Sequence, residues 1–157
     1  MKLMKKIIIS IPLAILLIGC DSSDPAPKPE IESVASAPIL DEAAILSASG
    51  LNPVRKYGLE DGHGFYMQES PDASIEFRTS PDRINLSLRT FSESEFKEKN
   101  NAAKNIIIKL AAVITGTDGR LIDGALSGEV KPGKTVVNNL PVNVSVAENS
   151  LLVTINK

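Results

Sequence analysis

The feature that most constrains this fold is a change of hydrophobic period that happens twice. Ala73, Ile75 and Phe77 alternate with Ser74, Glu76 and Arg78, and Ile84, Leu86 and Leu88 alternate with Asn85, Ser87 and Arg89. A period of two puts one apolar row and one polar row on opposite faces of a strand. Thr79-Ser80-Pro81-Asp82 supplies turn residues between the runs, which predicts a hairpin with one dry face and one wet one. Phe65 to Glu69, behind Gly62-His63-Gly64, predicts a strand ahead of it. The period then lengthens. Phe96, Ala103, Ile107, Leu110 and Ile114 stand at spacings of seven, four, three and four, one stripe of a helix of about 22 residues that stops at Gly116. Ser92 with Glu95 reads as a capping box. Glu93, Glu95 and Glu98 early, with Lys99, Lys104 and Lys109 later, suit the helix dipole.

A second, short helix is predicted over 119–127, from Leu121, Ile122, Ala125 and Leu126 with Gly128 following. Alternation then returns. Thr135 to Val137 is a short strand; Val142, Val144 and Val146 precede a Glu148-Asn149 turn, and Leu151, Val153 and Ile155 follow it. Strands, helix, strands is the order of an α+β fold, a mostly antiparallel sheet with one long helix packed on one face.

Ahead of this domain, Met1 to Cys20 is built differently. Lys2, Lys5 and Lys6 precede the 12-residue run Ile7 to Ile18, and Gly19-Cys20 closes it. As a helix that run is about 18 Å long, short of a hydrocarbon core of roughly 30 Å. A basic start, a short apolar run and a small residue at the end are the marks of a secretory signal. Leu17-Ile18-Gly19-Cys20 resembles the lipobox of bacterial lipoproteins. The resemblance implies cleavage between Gly19 and Cys20, a diacylglycerol thioether on Cys20 and an acylated new amino terminus. It places the protein in the bacterial cell envelope, held to a membrane by lipid. Asp21 resembles the retention signal that keeps some enterobacterial lipoproteins in the inner membrane; inner against outer membrane stays open. The alternative is an ordinary signal peptide whose cysteine is incidental.

Without residues 1–19, 138 residues remain, with 14 basic against 19 acidic residues, a balance of −5. An acidic chain without a basic block is a poor partner for nucleic acid, whose affinity rests on neutralised phosphates. Charge does not hold it to an anionic membrane either. The lipobox resemblance implies that acyl chains do that, at about 0.8 kcal/mol per buried methylene. Cys20 is the only cysteine, so no disulfide and no cysteine metal site is expected. Six aromatics and no Trp suggest an aliphatic core of Ile, Val and Leu. Residues 20–38 hold acids, serines and four prolines, a disordered tether. Residues 39–61 are ambiguous: Asp41 caps a short helix through Ala43, Ala44, Ile45 and Leu46 with Gly50 as its stop, or the tether continues. Residues 62–157 form the domain.

The motifs that carry chemistry are few. Gly128-Glu-Val-Lys-Pro-Gly133-Lys134-Thr135 fits a phosphate-binding loop letter for letter, with Lys134 on the terminal phosphates and Thr135 on magnesium. That loop needs a strand before it and a helix after it. Here a helix precedes and a β-rich segment follows, so Lys131 to Lys134 reads better as a type II turn. Asp118 and Glu129 have the spacing of a calcium loop, but Arg120, Ile122 and Asp123 occupy the places that need oxygen ligands and the turn glycine.

His63, the only histidine, lies in Glu60-Asp61-Gly62-His63-Gly64 and reads as solvated loop rather than metal ligand or general base. Glu93, Glu95 and Glu98 read as first-turn helix acids rather than a hydrolytic pair. Asn85, Ser87, Arg89, Asn143 and Ser145 read as the wet face of the sheet, and otherwise as a partner surface. No catalytic residue, cofactor or metal is expected. The resulting expectation is a non-enzymatic, lipid-anchored envelope protein that binds an envelope partner or serves a structural role. The alternatives are an inhibitor or immunity-type protein against an envelope-acting enzyme, and a small hydrolase of envelope polymers using a carboxylate pair.

Overall fold

The computed structural model describes residues 33–157. Gly19, Cys20, Asp21 and most of the expected tether lie outside the described residues. The fold is α+β. In chain order it runs α1 (Glu42–Ser49), β1 (Arg55–Leu59), β2 (Gly62–Gln68), β3 (Asp72–Thr79), β4 (Asp82–Arg89), a 3-10 turn (Ser94–Phe96), α2 (Lys97–Thr115), α3 (Arg120–Ser127), β5 (Gly133–Val137), β6 (Leu140–Ala147) and β7 (Ser150–Asn156). The strands form one sheet in the order β1-β2-β3-β4-β7-β6-β5, antiparallel at every pairing.

Local chemistry sets the hairpins. Ser80-Pro81 joins β3 to β4 with Thr79 opposite Asp82, and Glu148-Asn149 joins β6 to β7 with Ala147 opposite Ser150. Asn138 and Asn139 join β5 to β6 at φ 46° and 66°, the left-handed pair that a type I′ turn requires and asparagine tolerates. The helices carry the chain from β4 to the far edge. From there β5, β6 and β7 step back until β7 pairs with β4 in the middle of the sheet.

The apolar rows of the strands meet the stripe of α2. Ala103, Ile107, Leu110 and Ile114 are fully buried over Ile75, Ile84 and Leu86, and Leu121, Ile122 and Ala125 of α3 extend the layer. Each fully buried large aliphatic side chain contributes about 1.5–3 kcal/mol by leaving water, and with one cysteine in the chain no cross-link assists them. Gly116 stops α2 at φ 69°.

Four expectations need correction. Phe96 is not on the buried stripe; it stacks on Phe91 at 4.8 Å, and α2 begins only after the 3-10 turn. The Ser92–Glu95 capping box does not form. Ser92 Oγ donates instead to Asn149 Oδ1 in the β6–β7 turn, while Asn100 brackets Phe91, accepting from its N–H at 3.1 Å and donating to its carbonyl at 2.7 Å.

Of the two readings of residues 39–61 the capped helix is the one that forms, so the ordered fold starts well before residue 62. Asp41 Oδ1 accepts from Ala44 N–H at 2.9 Å, Gly50 closes α1 at φ 61°, and β1 pairs with β2. Residues 34–39, assigned to the tether and lead-in, are bonded to the end of α2: Ala35 and Ser36 N–H donate to Gly116 O at 2.8 and 3.0 Å, and Ile39 N–H to Ile114 O at 2.9 Å. Backbone bonds leave no side-chain pattern, which is why the composition of this strap conceals it. Finally, Gly133 opens β5 at φ 148°, far from the roughly +80° of a type II corner, so Lys131 to Lys134 is not that turn.

Candidate functional site

With α1, α2 and α3 packed on one face of the sheet, the other face is left without a helix among the described residues. Strand register sets what it displays. One row runs Tyr57, Gly64, Glu76, Asn85, Thr154, Asn143, Lys134; beside it run Arg55, Tyr66, Ser74, Ser87, Leu152 and Ser145. The expected polar positions Asn85, Ser87, Asn143 and Ser145 therefore do share a face, and Arg89 stands at its end opposite Asp72 and Ser150.

This face is more organised than a solvated one. Gly64 has no side chain because the Tyr57 ring crosses it: a Cβ there would lie 2.4 Å from a ring carbon. Tyr57 Oη donates to Glu76 Oε1 at 3.3 Å, Asn85 Nδ2 to Glu76 Oε2 at 3.0 Å, and Arg78 Nη1 to Glu76 Oε2 at 3.3 Å. Arg78 also forks onto Asp61, whose carboxyl the guanidinium holds below the usual aspartate range. Burial raises the Tyr57 phenol above its ordinary value. Among the described residues, Oδ1 of Asn85, a residue only 7% exposed, and the buried Nε of Arg83 have no hydrogen-bond partner. Arg55 lies 4.4 Å over the Tyr66 ring, which sits 4.9 Å from Tyr57. Leu152 and Val136 add exposed apolar surface on the same face.

The other candidates disperse. His63 is not on a loop. It is a β2 residue on the core side, ringed by Phe65 and Phe77 at 5.5 and 5.8 Å, with Nε2 2.6 Å from Glu42 Oε2 of α1. Glycines that read as loop punctuation mark close packing here: a Cβ on Gly62 would meet Phe77 O at 2.0 Å. No group of three or more His, Cys, Asp or Glu that could hold a metal occurs among the described residues. The Gly128–Thr135 segment leads from α3 into β5, the reverse of the strand-loop-helix order that cradles phosphate. Asp118 spends its carboxylate on Arg120 at 2.6 Å. Two grooves flank α2. One, of about 410 Å³ against α3, includes Lys104, Ile108 and Asp123; the other, of about 360 Å³, includes Phe91, Glu93 and Lys97. Each holds a single carboxylate, so neither brings an acid pair together.

Sequence reasoning missed Tyr57, Tyr66, Gly64, Glu76 and Arg78 as members of one cluster. The available signal was the polar half of the β3 alternation, but β1 has none: Arg-Lys-Tyr-Gly-Leu at an edge need not alternate. Gly64→Ala displaces the Tyr57 ring and frees its phenol to water. The expected result is a Tyr57 ionisation that returns toward the ordinary value near 10, read by ultraviolet titration. In the unsubstituted protein the raised phenol favours the folded state up to that pH. Its contribution is lost as pH climbs through the higher folded value. Identical titration curves for the two proteins would show that Tyr57 does not lie over Gly64.

Comparison with models of known protein families, with curated proteins and with solved structures returned no match.

Proposed function

We propose that this chain is a lipid-anchored bacterial envelope protein whose α+β domain is a non-enzymatic binding module, meeting an envelope partner through the helix-free face of the sheet. The observation that carries this reading is the Tyr57–Glu76–Asn85–Arg78 network, a set of polar side chains held in fixed positions on a face that no helix among the described residues covers. Side chains ordered before contact lose less freedom on binding, which favours affinity. An inhibitor or immunity-type protein is the narrower form of the same reading and uses the same face. The anchor rests on Leu17-Ile18-Gly19-Cys20.

Two measurements test it. In Cys20→Ser the chain accumulates as an uncleaved, unlipidated precursor; if that variant is cleaved and still partitions wholly into detergent, the anchor is wrong. For the face, a photo-crosslinking residue at Ser145 or Leu152 of the full chain captures a defined protein in native envelopes, and one at Lys104 on α2 does not. Capture from the helix side alone reverses the assignment.

A further inference from the structure

The chain is acidic overall, yet four of its five arginines, Arg55, Arg78, Arg83 and Arg89, stand on the helix-free face. Three are matched by acids: Arg55 with Glu69 at 2.7 Å, Arg78 with Asp61 and Glu76, Arg89 with Asp72 at 3.5 Å. Arg83 is different. It lies directly across from Arg78 in the β3–β4 register, and Asn156 of β7 flanks it on the other side. Like charges directly opposite each other in a sheet are destabilising. Asp61 interacts with both, but its two oxygens accept from the Arg78 fork, and among the described residues no carboxylate is hydrogen-bonded to Arg83. Among the described residues Arg83 is thus the one arginine of this face without a carboxylate bonded to it.

From this we infer that Arg83, at the β3–β4 end of the open face, is the docking point for a carboxylate side chain of a protein partner. The inference rests on the binding-module reading and supplies the chemistry of its partner. A guanidinium offers a planar fork, and with Nε buried the two terminal nitrogens of Arg83 are the pair that can meet a carboxylate with two parallel hydrogen bonds. Arg78 abreast is already matched by Asp61 and Glu76, so the recognition rests on the hydrogen-bonding fork of Arg83 rather than on surplus charge. The neighbouring groups favour a protein over an anionic polymer. Tyr57, Tyr66 and the exposed Leu152 and Val136 share the face. Tyrosine and arginine are the residues enriched at the centres of protein interfaces, and a polyphosphate chain gains nothing from the aliphatic groups beside them.

The test uses the full-length lipoprotein in nonionic detergent and fluorescein-labelled poly-L-glutamate as the probe, followed by fluorescence anisotropy. Binding is expected to weaken with added salt, and to fall about tenfold or more in Arg83→Gln. Arg83→Lys, which keeps the charge and loses the fork, falls in the same direction and guards against a folding defect in the glutamine variant, with thermal melting as the check. Equal binding by wild type and both variants overturns the inference. So does loss of binding only on changing Lys97, Lys99 and Lys104 of α2, or tighter, Arg83-dependent binding of inorganic polyphosphate than of poly-L-glutamate. If crosslinks from Ser145 and Leu152 capture a partner that Arg83→Gln holds as tightly, the carboxylate contact fails while the module stands. If those positions capture nothing, the module reading falls first.

Discussion

Leu110→Asp is expected to leave the domain unfolded at room temperature. Leu110 is fully buried in the middle of the α2 stripe. Losing its volume alone costs about 2–5 kcal/mol. A carboxylate without a partner at that depth adds several more in desolvation, or must take up a proton. Against a total stability of about 5–15 kcal/mol, the two together erase the cooperative transition. Circular dichroism should show no thermal melt, and near-neutral pH should be worse than acid, where the carboxyl is protonated. A normal melt would mean that the stripe of α2 faces water.

Gly116→Ala is expected to cost about 3 kcal/mol, for two reasons that a second variant separates. The residue sits at φ 69°, where a side chain costs roughly 1–2 kcal/mol. A Cβ there would also come within 2.2 Å of Ser36 O, which is backbone and cannot swing aside. The strap over residues 34–36 must then lift, losing the bonds from Ala35 and Ser36 N–H to Gly116 O, at about 1 kcal/mol each. Gly128 closes α3 at φ 82° with open space where its Cβ would go, so Gly128→Ala should show the conformational cost alone. Urea unfolding gives both values, and amide exchange at Ala35 and Ser36 reports the strap. Equal costs for the two glycines would show that the strap adds nothing at this point.

The strands of the β3–β4 and β6–β7 hairpins, the long helix and the short α3 were legible in the sequence because each buries one side, and a one-sided element writes its period into the residues. Ala103, Ile107, Leu110 and Ile114 were identified as core on that ground and are fully buried. Phe96 was included by the same rule and fell outside, because the first turn is 3-10 and rotates it toward Phe91. The capping box failed for a related reason. Asn149 lies 57 residues from Ser92 in the chain but within reach in the fold, and it takes the hydroxyl that the local motif would use. The loop reading of His63 failed because a glycine that permits a close approach looks the same in sequence as one that permits a turn.

The candidate face was legible only as a list of polar positions. That Asn85, Ser87, Asn143 and Ser145 alternate with apolar residues follows from the strand period. That Asn85 meets Glu76, that Tyr57 reaches the same carboxylate across Gly64, and that Arg83 stands beside Arg78 all follow from strand order and register.

Taken alone, the amino-acid order determined the α+β class, the long helix and its buried stripe, because periodic burial is a local property of the chain. Only the tertiary structure decided that β7 returns to pair with β4, that the strap at 34–39 joins the fold, and that Arg83 stands directly opposite Arg78 on the helix-free face. Those outcomes depend on contacts between residues far apart in the chain, where backbone bonds and the packing of many side chains, rather than any single motif, set the free energy.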